Sequence, residues 1–285
     1  MKNVIVGIDF SPCSLNAMKH AVALAANLKA SLTLLFVVSP DEKLVIDASP
    51  KDKSDIITFA EQKLTELVAG CKKYLPADAK IQYKIRMGKP SREINTEARN
   101  QGNAITVLGT HGCTGFEEFF MGSSAFKTVS GASNPVLTIR EGVSINRDLT
   151  DILLPIDDSL ETLQKLKPAT ILAKAFQAKI HLMGFHSGNY PEIKRVIDAY
   201  IQKATMYLTE NNVRFEVIDV DTSNKVGSTI QIAKDRNINL IIVMKEVESA
   251  GENIFIMAPF SEKLVNRSPI PILTVPIDSS IYPKR

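Results

Sequence analysis

The chain is written twice. Residues Val4–Asp9 (Val-Ile-Val-Gly-Ile-Asp) align with Ile152–Asp157 (Ile-Leu-Leu-Pro-Ile-Asp) at an offset of 148. Ala30–Val37 aligns with Ala178–Phe185 at the same offset, and Asn134–Ile139 aligns with Ile270–Val275 at an offset of 136. A repeat of about 140 residues is a whole domain's length, so each copy is expected to close its own core. The first copy is about twelve residues longer, and the excess falls at roughly Pro40–Asp52, after its second apolar run. The boundary lies in the polar stretch Gly142–Asp148, which divides the chain into units 1–142 and 148–280.

Within each copy, short β-rich runs alternate with helical periodicity. In the first, Asn3–Asp9, Ser31–Val38, Lys80–Met87, Ala104–Gly109 and Val136–Arg140 read as strands. Ser11-Pro12 predicts a capped helix with proline in its first turn, where the missing N–H costs nothing. Leu15, Met18, Val22 and Ala25 follow at helical spacing, and Ile57, Ala60, Leu64, Leu67 and Cys71 mark a second helix. Further helices are expected at about Ser91–Asn100 and Ser123–Ser133. The second copy repeats this order, with Asp158 and Glu161 as a candidate capping box and Ile193, Ile197, Tyr200 and Ala204 along its long helix. Nearly continuous apolar strands alternating with helices call for a parallel sheet covered on both faces. Right-handed crossovers make each copy a doubly wound α/β unit.

Several function classes fall away on composition. Lys and Arg number 17 against 14 Asp and Glu in residues 1–145, and 17 against 17 in residues 146–285. Neither half has the basic excess of a nucleic-acid binder, so no nucleic acid is expected. Three cysteines without a C-x-x-C argue against a disulfide framework or a structural zinc site. No apolar run reaches the ~18 residues of a membrane span, and the opening apolar run meets Asp9 too early for a signal peptide; a cytoplasmic protein is expected.

In an open parallel sheet, ligands bind beyond the carboxyl ends of the strands where the winding reverses. The segment after the fourth strand runs from Gly109 through His111, Gly112 and Gly115 to Gly122-Ser123-Ser124. Glycines there let a ligand approach the main chain, and the helix that Gly122 opens presents unpaired N–H groups to an anion. Ser123 and Ser124 add hydroxyl donors, so a phosphate is the natural ligand. The plainer reading is a glycine turn followed by an ordinary helix cap. Neither G-x-x-x-x-G-K-[ST] nor G-x-G-x-x-G occurs to choose between them.

The pattern Gly109-x2-Gly112-x9-Gly122-Ser123, followed by a helix and Asn134-Pro135-Val136-Leu137, resembles the signature of the universal stress protein family. Val4–Asp9 with Phe10-Ser11, and Met87-Gly88-Lys89-Pro90, fit the same family. The resemblance covers the first copy and, by strand order, the second. It implies five-stranded sheets of order 3-2-1-4-5, the adenine nucleotide alpha hydrolase-like arrangement, in a tandem member. It further implies an ATP-binding stress-response protein. Asp9 and Val37 would meet the adenosine, with Gly109, His111, Gly112, Gly122, Ser123 and Ser124 around ribose and phosphates. For Asp9 the alternative is a local cap or turn; for His111, an exposed loop. Mg²⁺ or Mn²⁺, held by the phosphates rather than by a dedicated protein site, would reconcile the Asp9 charge with the ligand. Relatives of one unit pair through the final strand, which implies an intrachain pairing of the two units and allows a homodimer of chains.

In the second copy Gly109, Gly112, Gly122 and Ser123 become Lys245, Glu248, Ala258 and Pro259. Side chains replace permissive glycines, Glu248 adds negative charge and Pro259 has no N–H to give. One nucleotide per chain is therefore expected, in the first unit, with Asp157 surviving at the Asp9 position. Residues 40–52 stand beside the expected adenosine pocket as a candidate lid. No catalytic residue is assigned. The rival functions are slow ATP hydrolysis or phosphotransfer, with His111 and Asp9 as the nearby groups, and a nucleotide-free protein scaffold.

Overall fold

The computed structural model describes residues 1–39, 53–110, 122–140, 142–143, 149–186, 191–245, 247–249, 255–257, 259–278 and 280. The chain divides into two compact units, Met1–Arg147 and Asp148–Arg285. The candidate lid at 40–52, and His111 and Gly112, lie outside the described residues.

In the first unit the elements run β1 (Asn3–Ile8), α1 (Pro12–Leu28), β2 (Ser31–Val38), α2 (Lys53–Lys72), β3 (Ile81–Met87), α3 (Pro90–Gln101), β4 (Ala104–Gly109), α4 (Ser123–Gly131) and β5 (Val136–Ile139). All pairings are parallel, and the sheet order is β3-β2-β1-β4-β5. The winding therefore reverses between β1 and β4. Val4, Ile5, Val6, Leu32, Leu34, Ile105 and Val107 are wholly buried, as strands covered on both faces must be. The outer strand β3 is half-exposed instead.

The second unit contains β6 (Asp151–Ile156), a 3₁₀ segment (Leu160–Lys165), α5 (Leu166–Phe176), β7 (Lys179–His186), α6 (Pro191–Glu210), β8 (Phe215–Asp221), α7 (Lys225–Asp235) and β9 (Leu240–Lys245). A short hairpin, β10 (Val247–Ser249) antiparallel to β11 (Phe255–Met257), precedes α8 (Pro259–Arg267) and β12 (Ile272–Pro276). Its parallel strands follow the order β8-β7-β6-β9-β12, again 3-2-1-4-5. The hairpin stands where the first copy carries its glycine segment, and strand periodicity gave no sign of it.

The repeat extends to the caps. Lys29 and Gln177, at equivalent positions, both end their helices in the left-handed region (φ 50° and 56°). In both, the next residue's N–H reaches back five residues, Ala30 to Ala25 and Ala178 to Ala173, the bond that closes a helix at such a cap. Pro12 sits in the first turn of α1, and the Ser11 hydroxyl accepts from the Ser14 N–H, as the Ser-Pro pair predicts. The expected capping box of Asp158 and Glu161 does not form. Ser159 stands at the helix entry, and its hydroxyl turns back to Asp157.

Polar side chains tie the outer strands to the units. Glu97 on α3, 1% exposed, takes Lys84 at 2.6 Å and Arg86 at 2.9 Å, and accepts from Gln101 at 2.8 Å. In the second unit His181 stands between Asp151 (2.7 Å) and Glu216 (2.8 Å).

Candidate functional site

The strand order places the carboxyl ends of β1 and β4 side by side, and the residues that leave them form the candidate site. At the end of β1, Asp9 accepts two bonds on Oδ1, from the Ser11 N–H at 3.0 Å and the Ser11 hydroxyl at 2.6 Å. Its own N–H donates to Ser14 Oγ at 3.3 Å. The carboxylate is therefore part of the α1 cap. Between Asp9 and Ser11, Phe10 is held at φ +64°, a conformation costly for a bulky residue. Its ring packs on Phe36 (5.1 Å between centroids) and edge-on to Phe59 (5.9 Å), an aromatic wall beside the ends of β1 and β2. The sequence offered no sign of this turn, since no glycine marks it. Val37, in the last pair of residues of β2, is half-buried.

Gly109 ends β4, and its lack of a side chain has a packing cause. A Cβ there would lie 2.8 Å from Cys13 Sγ and 3.0 Å from the Cys13 backbone carbon and oxygen. The absent side chain lets the first turn of α1 lie against β4. Gly122 is different. Its backbone (φ −54°, ψ 146°) is open to any residue, and its N–H already donates to the Thr110 carbonyl at 2.6 Å. As N-cap of α4 it brings no side chain to meet the first-turn amides. Ser123 is exposed and Ser124 half-buried at that opening. This donor set suits an anion, and it lies at the carboxyl edge of the sheet with Asp9. The described residues thus bring Asp9, Val37, Gly109, Gly122, Ser123 and Ser124 to one edge of the first unit.

The equivalent edge of the second unit keeps the framework and changes its surroundings. Asp157 Oδ1 accepts from the Ser159 N–H (3.0 Å) and hydroxyl (2.5 Å), and the Asp157 N–H donates to Thr162 Oγ1 at 3.2 Å. Burial pushes the Asp157 carboxyl up; the charge of Lys165 and the bonds from Ser159 and Thr162 outweigh it and hold it below the ordinary carboxylate range. At the Gly109 position, Lys245 brings a side chain, and burial pushes its ammonium's pKa down. A Cβ there is incompatible with the close approach seen at Cys13, and the helix entry of the second unit is a 3₁₀ segment, with α5 starting only at Leu166. At α8, proline stands where Ser123 opens α4.

Among the described residues no group of three or more His, Cys, Asp or Glu side chains is placed to hold a metal ion. No helix of the described residues is long and apolar enough to cross a membrane. A groove of about 710 Å³ lined by Lys72, Leu75, Lys80 and Gln82 opens at the amino ends of β2 and β3, the wrong end of a parallel sheet for its ligand.

A twice-repeated, doubly wound 3-2-1-4-5 unit with a glycine-bearing strand end in its first copy defines a tandem α/β protein. The universal stress protein family profile matches residues 1–140 and again 149–276, and the chain belongs to that family. A universal stress protein of Methanocaldococcus jannaschii is 30% identical over 142 residues, 49% of this chain and 82% of its own length. One from Mycobacterium tuberculosis is 27% identical over 204 residues, 71% of each chain. Among solved structures, a universal stress protein from Archaeoglobus fulgidus superposes with a TM-score of 0.76 at 16% identity, covering 96% of this chain and 98% of that one. At that identity the likeness speaks for the fold.

Proposed function

We propose that this protein is a stress-responsive regulator that binds one ATP per chain, at the carboxyl edge of the first unit. The observation that carries the reading is the contrast between two equivalent edges. α4 opens on a bare glycine cap followed by two serines, whereas α8 opens on proline and β9 ends in Lys245. In this reading Ser123 and Ser124 meet the phosphates and Asp9 and Val37 the adenosine. Gly109, His111 and Gly112 complete the ribose and phosphate surroundings, and Mg²⁺ or Mn²⁺ travels with the phosphates. Binding rather than turnover is the task of such a site. No lysine stands in a phosphate-loop motif, and Asp9 Oδ1 is committed to the α1 cap.

The test begins with mass spectrometry of small molecules released from freshly purified protein, followed by equilibrium dialysis with ATP. One equivalent per chain is expected, lost in Gly122→Glu, which puts charge and bulk at the α4 entry without a backbone requirement for glycine. Two equivalents would overturn the one-site reading. Unchanged affinity in Gly122→Glu would overturn the placement of the phosphates. Absence of any nucleotide from a folded chain would favour a scaffold acting through protein contacts.

A further inference from the structure

Lys165 is the one lysine among the buried described residues, 2% exposed, and it falls on a position where the first unit has a wholly buried alanine, Ala17. A buried ammonium is costly unless it is paired and hydrogen-bonded. Here its Nζ donates to Thr162 Oγ1 at 3.1 Å, the same oxygen that accepts the Asp157 N–H at 3.2 Å. One hydroxyl thus joins the ammonium to the residue at the end of β6. The carboxylate of that residue turns to Ser159, as Asp9 turns to Ser11. Around equivalent networks, the second unit has added a cation from its own chain.

We propose that Lys165 is a tethered counter-ion for Asp157, and that it makes the strand-end site of the second unit self-sufficient and closed to ligand. This rests on the reading that the equivalent carboxylate of the first unit, Asp9, faces a ligand. In the first unit Ala17 supplies no charge, and a cation associated with a bound ligand can serve Asp9. In the second unit the cation is covalently attached, so the site is satisfied at all times. The charge of Lys165 acting on Asp157 agrees with this assignment. Lys165 is the last residue of the 3₁₀ segment, so its bond to Thr162 lies within the altered helix entry of the second unit. The two units then differ in kind: one responds to ligand, and the other holds its conformation without one.

The test needs no nucleotide. Lys165→Ala installs the residue that the first unit carries at this position, and amide hydrogen exchange reads β6 and α5 against β1 and α1 in the same molecule. A loss of protection of tenfold or more in β6 and α5 is expected, with β1 and α1 unchanged. Methylammonium should restore that protection saturably in Lys165→Ala and have no effect in Asp157→Asn/Lys165→Ala. Wild-type protection in Lys165→Ala, or equal responses to methylammonium with and without Asp157, would overturn the proposal. If Lys165→Ala fails to fold, the volume-matched pair Lys165→Met and Asp157→Asn decides. The neutral double variant should be protected at least as well as either single one, and additive losses would overturn the pairing. Failure of ATP to bind anywhere on the chain would sink the proposed function while leaving these exchange results to be judged by themselves.

Discussion

Gly109 and Gly122 belong to one sequence pattern, yet the structure gives them different work, and Gly109→Ala separates the two. The new Cβ would meet Cys13 Sγ at 2.8 Å and the Cys13 backbone carbon and oxygen at 3.0 Å. The thiol can rotate, but the backbone contacts can be relieved only by moving the first turn of α1 away from β4. Overpacking of this kind costs roughly 1–3 kcal/mol. For a unit of this size that is a fall in Tm of about 4–12 °C. The assay is thermal and urea unfolding of Gly109→Ala, Cys13→Ala and the double variant. Removing the thiol should recover part of the loss, a coupling of about 0.5–1.5 kcal/mol, because the backbone contacts survive it. Gly122→Ala, at φ −54° and ψ 146°, should stay within about 0.5 kcal/mol of wild type. If Gly109→Ala costs nothing in the Cys13→Ala background, the backbone argument is wrong. If it costs nothing in the wild type, so is the packing account of Gly109.

Glu97 is held to a pKa of about 2 against an ordinary 4.5: burial pushes it up, but bonds from Lys84, Gln101 and Arg86 outweigh that. A depressed folded-state value stabilises above the unfolded pKa and is lost as pH falls, here between about 4.5 and 2. Glu97→Gln should remove on the order of 3 kcal/mol at neutral pH and flatten the acid limb of the urea midpoint against pH; an acid limb of unchanged steepness would refute the assignment. Ser11→Ala should cost about 1 kcal/mol as a lost cap and also weaken ATP binding, since it removes one of the two Ser11 bonds that orient the Asp9 carboxylate; calorimetry reads both. Asp9→Asn should weaken ATP binding less than Gly122→Glu does, and the reverse order would move the phosphates toward β1.

What was legible in the sequence was whatever periodicity and the repeat encode. Parallel strands buried on both faces are runs of Val, Ile and Leu, so Val4–Ile8 and Leu32–Phe36 announce themselves, and Ser11-Pro12 announces the start of α1. The hairpin of Val247–Ser249 and Phe255–Met257 did not, because three-residue strands hold no periodic signal. Phe10 at positive φ is a tertiary demand, met by a ring that packs on Phe36 and Phe59. Gly109 was legible as a needed glycine, but its reason lies across the sheet at Cys13, where no local pattern could place it. Lys165 was missed because lysine on a helix reads as surface. Aligning the copies puts it over Ala17, on the stripe that includes the buried Met18, and that alignment was the available signal.

The two strand-end carboxylates show how little of the function resides in the fold. Asp9 and Asp157 make corresponding bonds to a serine two residues on, and their N–H groups meet a hydroxyl five residues on, at distances agreeing within 0.1 Å. A cap of this kind serves the helix entry whether or not a ligand is present, so its persistence in the second unit is no sign of a second site. The differences lie in what surrounds it: Gly109 against Lys245, Ala17 against Lys165, Ser123 against Pro259. Two of these differences come with a local change that accommodates them. Lys245 goes with a 3₁₀ entry in place of the α-helical turn, and Lys165 goes with Thr162, whose hydroxyl accepts from its Nζ. A site lost by decay alone would leave buried charge unpaired and stability lower. On the proposals above, a strand end that has gained a buried lysine, bonded to Thr162 beside Asp157, is instead a structural element, and the duplicated chain keeps one responsive unit beside one constant one.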